Sequence, residues 1–251
     1  MPSSKPPFKP DSMPNSKPHF IGLSRRRALG ALGSLGAARL LGREAQAAEV
    51  SEACVLTPSE TAGPFPLLHV LSEPKFLRAD ITEGQPGLPL NLSLEVVDVG
   101  RKCAPVAGAV VYIWHCSKDG AYSGYEQGAQ GDHRGQTWLR GLQLTDGRGR
   151  ATFRTVYPGW YPGRVTHIHF QVYIGERPRG RATATSQLVF PDEVTAAVYA
   201  SPAYAARGQN STVKRIADDF LFADGYEYQL ARIDGDPAAG YVASLKVGIK
   251  A

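Results

Sequence analysis

The stretch GWYPGRVTHIHF, residues 159–170, sets a phenol (Tyr161), a guanidinium (Arg164) and two imidazoles (His167 and His169) within twelve positions. Read as a strand, HIHF projects both histidines to one side, because residues i and i+2 share a face, and both rings then reach a single metal ion. Ile168 and Phe170 alternate with them and face the packed side. Taken alone, the His-x-His pattern fits a pair of structural histidines on a half-exposed strand equally well. No Asp or Glu lies between Pro158 and Gly175, so a centre of two histidines and one carboxylate would need its acid from elsewhere. The nearby oxygen donors are phenols: Tyr161, and Tyr122 and Tyr125 in the glycine-rich DGAYSGYEQG. A phenol of ordinary pKa near 10 ligates as an anion only beside a strong Lewis acid, and ferric iron is such an ion. Two tyrosinates and two neutral imidazoles leave a 3+ ion with a residual charge of +1, which hydroxide at an exchangeable position neutralises.

The elements that would position these residues are short β-type runs separated by Gly, Pro and Asp. They are LSLEVVDVG (92–100), AVVYIWHC (109–116), WLRGLQLTDGRGRATFRTVYPG (138–159), HIHFQVYIG (167–175), TSQLVF (185–190), YEYQLARI (226–233) and YVASLKVGI (241–249). TDGRG at 145–149 is a hairpin turn. Only PDEVTAAVYASPAYAARG, residues 191–208, has helical character, and Pro202 must interrupt it. The fold class expected is all-β: a two-sheet β-sandwich with long loops and one short helical segment, forming a single domain over residues 48–251.

Length and composition agree with a globular chain, since 251 residues at 43% apolar composition can bury a core. The formal charge of +5 belongs to the first 47 residues, which hold eight Lys and Arg against Asp11 and Glu44. Residues 48–251 carry 20 basic and 21 acidic residues, which excludes a nucleic-acid partner on charge grounds. Residues 1–47 have the form of an export signal: consecutive arginines (25–27), an apolar run from Ala28 to Ala38, and Ala-Gln-Ala at 45–47. The apolar run is too short to span a bilayer, and no membrane span is expected in the mature chain. Ser24, Arg25, Arg26 and Leu29 resemble a twin-arginine signal, so periplasmic or extracellular export by that route is expected, with cleavage near Ala47 or Ala48. Of Cys54, Cys103 and Cys116, an oxidising compartment allows one pair and leaves one thiol, without selecting which; three buried thiols are the alternative.

Three segments together resemble the intradiol ring-cleavage dioxygenases, in particular their secreted branch. TPSETAGPFP (57–66) is similar to the family's N-terminal signature, VAGAVVYIWHCSKDGAYSGY (106–125) to its strand and loop around the first tyrosine, and LRGLQLTDGRGRATFRTVYPGWYPGRVTHIHF (139–170) to its metal-binding core. The resemblance covers about residues 54–190. It implies non-haem Fe(3+) held by Tyr122, Tyr161, His167 and His169, with Tyr161 the axial ligand that substrate displaces. Arg164 would stabilise negative charge on the ring, Gln187 would stand beside it, and Tyr125 would lie outside the set. It further implies a small aromatic diol and O2 as partners. Both oxygen atoms would be inserted and the ring cleaved between its two hydroxyls to a muconate-type diacid. A homo-oligomer and the identity of the diol are left open. Two rival classes remain: an exported, non-catalytic β-sandwich that binds aromatic or polysaccharide material, and a sandwich that holds copper or zinc.

Overall fold

The computed structural model describes residues 54–175 and 180–251; the expected export signal at 1–47 lies outside them. Among the described residues, nine strands form two sheets. The first contains β1 (Pro89–Asp98), β2 (Ala104–Pro105), β5 (Arg150–Val156), β8 (Arg232–Asp236) and β9 (Gly240–Ile249). β1 pairs in parallel with β9 and, along its other edge, antiparallel with β2 and β5. The second sheet runs β4 (Arg140–Leu144), β3 (Val110–Trp114), β6 (His167–Tyr173) and β7 (Ala184–Val189), all antiparallel. The two-sheet sandwich is therefore the fold the sequence pattern predicts.

The alternation that makes these segments strands also makes the core. In β1, Leu90, Leu92, Leu94 and Val96 point inward, and they meet Val111, Ile113, Ile168, Phe170, Val172 and Leu188 from the second sheet. β6 departs from alternation because all seven of its residues are buried. Its second face is covered by the N-terminal segment rather than by water. That segment bonds to β9 through Thr57 and Gly248 and to β7 through Glu60 and Thr185. It then crosses the outer face of the second sheet to meet β4, where Arg78 N–H donates to Leu142 O.

The helix α1 spans Asp192–Ala200, and Pro202 interrupts the helical segment as expected by forcing Ser201 into an extended conformation. Asp192 and Glu193 occupy its first turn, where the helix dipole favours acids. YEYQLARI is not a strand throughout. Tyr226 to Gln229 close a turn, Leu230 bridges to Val189 at the edge of the second sheet, and the strand begins only at Arg232. The reason is Gln229, whose buried side chain donates to Glu60 and Ser186 and so ties the chain to the second sheet first. Among the described residues, no helix is long and apolar enough to cross a membrane.

Of the three cysteines, Cys54 pairs with Cys103, and Cys116 is a buried free thiol. The bridge closes 49 residues of sequence and anchors the start of the covering segment to the turn after β1. By the chain-entropy argument such a bridge contributes about 2–5 kcal/mol. Replacing Cys103 with Ser should therefore lower the urea midpoint substantially, whereas Cys116→Ala should shift it much less. Equal midpoints for the wild type and Cys103→Ser would contradict the anchoring role.

Candidate metal centre

Strand register assembles the floor of the site. Trp114 stands opposite Arg140 on β4 and opposite His169 on β6, and His169 stands opposite Gln187 on β7. Directly paired residues point to the same face, so Arg140, Trp114, His169 and Gln187 form one row on the outer side of the second sheet. His167 lies two residues from His169 on the same face, while Ile168 and Phe170 go to the core. The Trp114 ring lies on the His169 ring with centroids 4.9 Å apart and planes within 3°, which fixes the imidazole plane.

The two tyrosines arrive on loops. Tyr122 follows β3 in a loop whose start is pinned by His115: its Nδ1–H donates to Cys116 O (2.8 Å) and its Nε2 accepts from Thr155 Oγ1 (2.7 Å). Tyr161 lies in the loop between β5 and β6. The two loops touch at Gly159, whose N–H donates to Ser117 O (3.1 Å). A Cβ there would stand 2.2 Å from Lys118 O, so only glycine permits the approach. Tyr122 is fully buried with its ring stacked on Phe65 at 4.6 Å. Tyr125 turns away from the centre, and its hydroxyl donates to Pro66 O (2.7 Å).

All four expected ligand side chains converge. His167 Nε2 lies 3.1 Å from His169 Nε2 and 3.2 Å from the Tyr161 hydroxyl, and the Tyr122 and Tyr161 rings meet edge-on with centroids 5.7 Å apart. His167 Nδ1 lies 2.6 Å from Val165 O, a carbonyl that can only accept, so Nδ1 carries the proton and Nε2 presents a bare lone pair to the cluster. The Tyr122 hydroxyl and His169 Nδ1 are buried without a hydrogen-bond partner among the described residues. Gly63, at φ +65°, lies flat against His169, where a Cβ would come within 3.2 Å of Cε1.

Burial dominates the electrostatics. It pushes the Tyr122 phenol well above its usual value of 10 and Tyr161 up to about 12, the nearby Arg164 charge opposing the rise at Tyr161. It holds His167 down to about 3 and His169 well below the usual histidine range, with the Arg164 charge adding to both. The imidazoles are thus neutral ligands, and the phenols would give up their protons only to a strong cation. Two phenol oxygens, that of Tyr122 unpartnered, and the Nε2 atoms of two neutral imidazoles fit a hard, highly charged metal ion such as ferric iron. Among the described residues, no three His, Cys, Asp or Glu side chains gather, so the phenols are the oxygen donors at hand.

Arg164 is buried beside the cluster. Its Nη2 donates to Gln187 Oε1 (2.6 Å). Gln187 in turn donates to Thr61 O (2.9 Å) in the covering segment. Sequence reasoning did not find Asp219, whose carboxylate accepts from Arg164 Nε at 2.8 and 3.1 Å across 55 residues of sequence. It also missed Arg140, which is fully buried and donates to Phe65 O, the Tyr112 hydroxyl, Ser123 Oγ and Ser123 O. Arg140 had a partial signal, an arginine at the start of the strand-like run that follows the Tyr122 loop, where it becomes the direct register partner of Trp114. Asp219 had none, because Asp218 beside it makes only an exposed pair with Arg215.

A family model described as "Dioxygenase" matches residues 71–218, more than half of the chain. The chain belongs to this dioxygenase family. It is 30% identical over 135 residues to catechol 1,2-dioxygenase 1 of Acinetobacter lwoffii, a match covering 46% of this chain and 42% of that protein. It is 32% identical over 146 residues to 6-chlorohydroxyquinol 1,2-dioxygenase of Cupriavidus pinatubonensis, covering 49% of this chain and 48% of the relative. The chain thus matches less than half the length of these relatives. An intradiol ring-cleavage dioxygenase from Tetranychus urticae superposes with a TM-score of 0.66 at 27% identity, over 78% of this chain and 95% of that one. The dioxygenase domain of a carbohydrate-binding fusion protein from Streptomyces sp. SirexAA-E gives 0.52 at 27%, over 78% and 98%. The two-sheet sandwich is the fold of this dioxygenase family.

The neutral buried imidazoles make a pH prediction for the metal-free protein. His115, held to about 4 by complete burial, behaves as His167 does. Each ring binds no proton in the folded chain and one in the unfolded chain below the ordinary value of 6.5. Stability is therefore fully present above pH 6.5 and falls on acidification towards pH 4, at a limiting slope on the order of 1 kcal/mol per pH unit for each ring. Urea midpoints at pH 7 and pH 5 should drop accordingly, and a flat profile would show that these rings are not held neutral.

Proposed function

We propose that this dioxygenase is a non-haem Fe(III) enzyme that opens a catecholic ring between its two hydroxyls, inserting both atoms of O2 and giving a muconate-type diacid. The observation that carries the reading is the convergence of Tyr122, Tyr161, His167 and His169, with the Tyr122 hydroxyl buried there without a hydrogen-bond partner. A ferric ion held there would supply the Lewis acidity that favours the doubly deprotonated diol and would couple it to dioxygen.

The rest of the work falls to the chain. Tyr161 is half-buried where Tyr122 is fully buried, so it is the more accessible of the two phenols, and as a phenolate its oxygen could take a proton from a diol hydroxyl. Tyr122, buried and stacked on Phe65, stays in place. Arg164, clamped by Asp219 and Gln187, keeps its planar donors in a fixed direction towards negative charge that develops on the ring. Phe65, stacked on Tyr122 and edge-on to Tyr161, limits the entry of water.

Export by the twin-arginine route belongs to the same proposal. It is supported by the arginine pair before the apolar run and by the Cys54–Cys103 bridge, which persists in an oxidising compartment. N-terminal sequencing of the exported protein should begin near Ala48; a start at Met1 would contradict processing. The catalytic reading is tested by visible absorption. Purified protein loaded with ferric iron should show a broad tyrosinate charge-transfer band that moves to longer wavelength on anaerobic addition of catechol or hydroxyquinol. Tyr161→Phe should keep the metal, shift the starting band and lower kcat by about 10²-fold or more. A protein that binds no iron and stays colourless would favour the non-catalytic binding module instead.

A further inference from the structure

We propose that the site selects diols whose ring carries no carboxylate, a choice that rests on the ring-cleaving reading above. A carboxylated catechol must find a cation, because a carboxylate taken out of water without a partner is strongly disfavoured. Among the described residues, the guanidinium charges that bear on His169 come from Arg164 and Arg140. Neither is free to receive a carboxylate.

Arg164 is already neutralised. Asp219 is buried, and both of its oxygens accept from Arg164 Nε, one of them also from Val165 N–H (2.9 Å) and the other from Leu221 N–H (3.0 Å). The carboxylate is held in that pose by the short turn Phe220–Phe222, which it caps. The pair is therefore net neutral: its fixed donors can meet partial charge on a ring, but it offers no full countercharge. Arg140 lies behind the Tyr122 ring, with four of its N–H bonds directed to Phe65 O, the Tyr112 hydroxyl, Ser123 Oγ and Ser123 O.

A second negative group stands on the Arg164 side. Glu60 precedes Thr61, whose carbonyl accepts from Gln187, and its own carboxyl accepts from Gln229 Nε2 (3.1 Å) within the electrostatic reach of Arg164 and Asp219. A ring carboxylate entering here would meet a cancelled guanidinium and a glutamate. A ring bearing hydrogen, alkyl, halogen or hydroxyl substituents would meet neither penalty, so the discrimination works by rejection.

The test uses the full iron-loaded protein with two probes of nearly equal size, 4-methylcatechol and 3,4-dihydroxybenzoate. Their affinities are read anaerobically from the visible band and their kcat/KM from O2 uptake. The methyl compound should be preferred about 100-fold or more. Asp219→Asn, which keeps the shape but leaves Arg164 charged, should narrow that ratio about tenfold or more, mainly by tightening binding of the benzoate. Glu60→Gln, at a half-buried position outside the Arg164 bonds, should narrow it in the same direction and carries the test if Asp219→Asn does not fold. Equal use of both probes by the wild type, or an unchanged ratio in the variants, would overturn the inference. A protein whose band responds to neither probe would instead sink the ring-cleaving reading itself.

Discussion

The antiparallel register of β6 between β3 and β7 is the constraint on which the rest depends. It places Arg140, Trp114, His169 and Gln187 in one row and His167 on the same face. A slip of one residue would send both imidazoles into the space between the sheets and bring Ile168 and Phe170 out. What prevents it is apolar: Ile168, Phe170 and Val172 are completely buried in the inner core against Leu92, Phe153 and Val247. The hydrophobic face of the strand fixes the position of its polar face, so the chemistry borrows its precision from packing.

Burial holds the imidazoles of His167 and His169 neutral, and the chain solves the problem of a buried guanidinium in two ways. Arg164 is given a carboxylate, and the pair is neutral. Arg140 has no ion-pair partner among the described residues; its charge is spread over two carbonyls, two hydroxyls and the faces of Tyr122 and Tyr125. The difference matches their positions. Arg164 lies beside the Tyr161–His167–His169 cluster, where an uncompensated charge would bear on the phenols and imidazoles. Arg140 lies behind Tyr122, where its hydrogen bonds tie the covering segment at Phe65 to the tyrosine loop at Ser123.

Much of this was legible in the sequence, because periodicity and local spacing are local properties. The alternation in LSLEVV and HIHF marked strands and their faces, and the tyrosines and histidines lay within loops and strands whose type could be read. The ends of elements were less legible. YEYQLARI has the composition of a strand, but the long-range bonds of Gln229 to Glu60 and Ser186 hold its first half in a turn. The pairing of cysteines and the Arg164–Asp219 contact were not legible at all. They depend on residues 49 and 55 positions apart meeting in three dimensions, and no local pattern distinguishes Asp219 from its exposed neighbour Asp218.

The sandwich alone presents the row of side chains on an open sheet; the segment Thr57–Phe76 makes it a chamber. Thr61 accepts from Gln187, Gly63 lies against His169, and Phe65 stacks on Tyr122. Its hold on the sheet is distributed: the Cys54–Cys103 bridge at the start, Tyr125 at Pro66, and Arg140 at Phe65. Because a disulfide acts mainly by restricting the unfolded chain, oxidation favours the folded state in which this segment covers the sheet without adding a contact inside the site. Redox state and site are thus linked through one bond at the edge of the molecule: conditions that keep Cys54–Cys103 oxidised also stabilise the cover over Tyr122 and the two imidazoles.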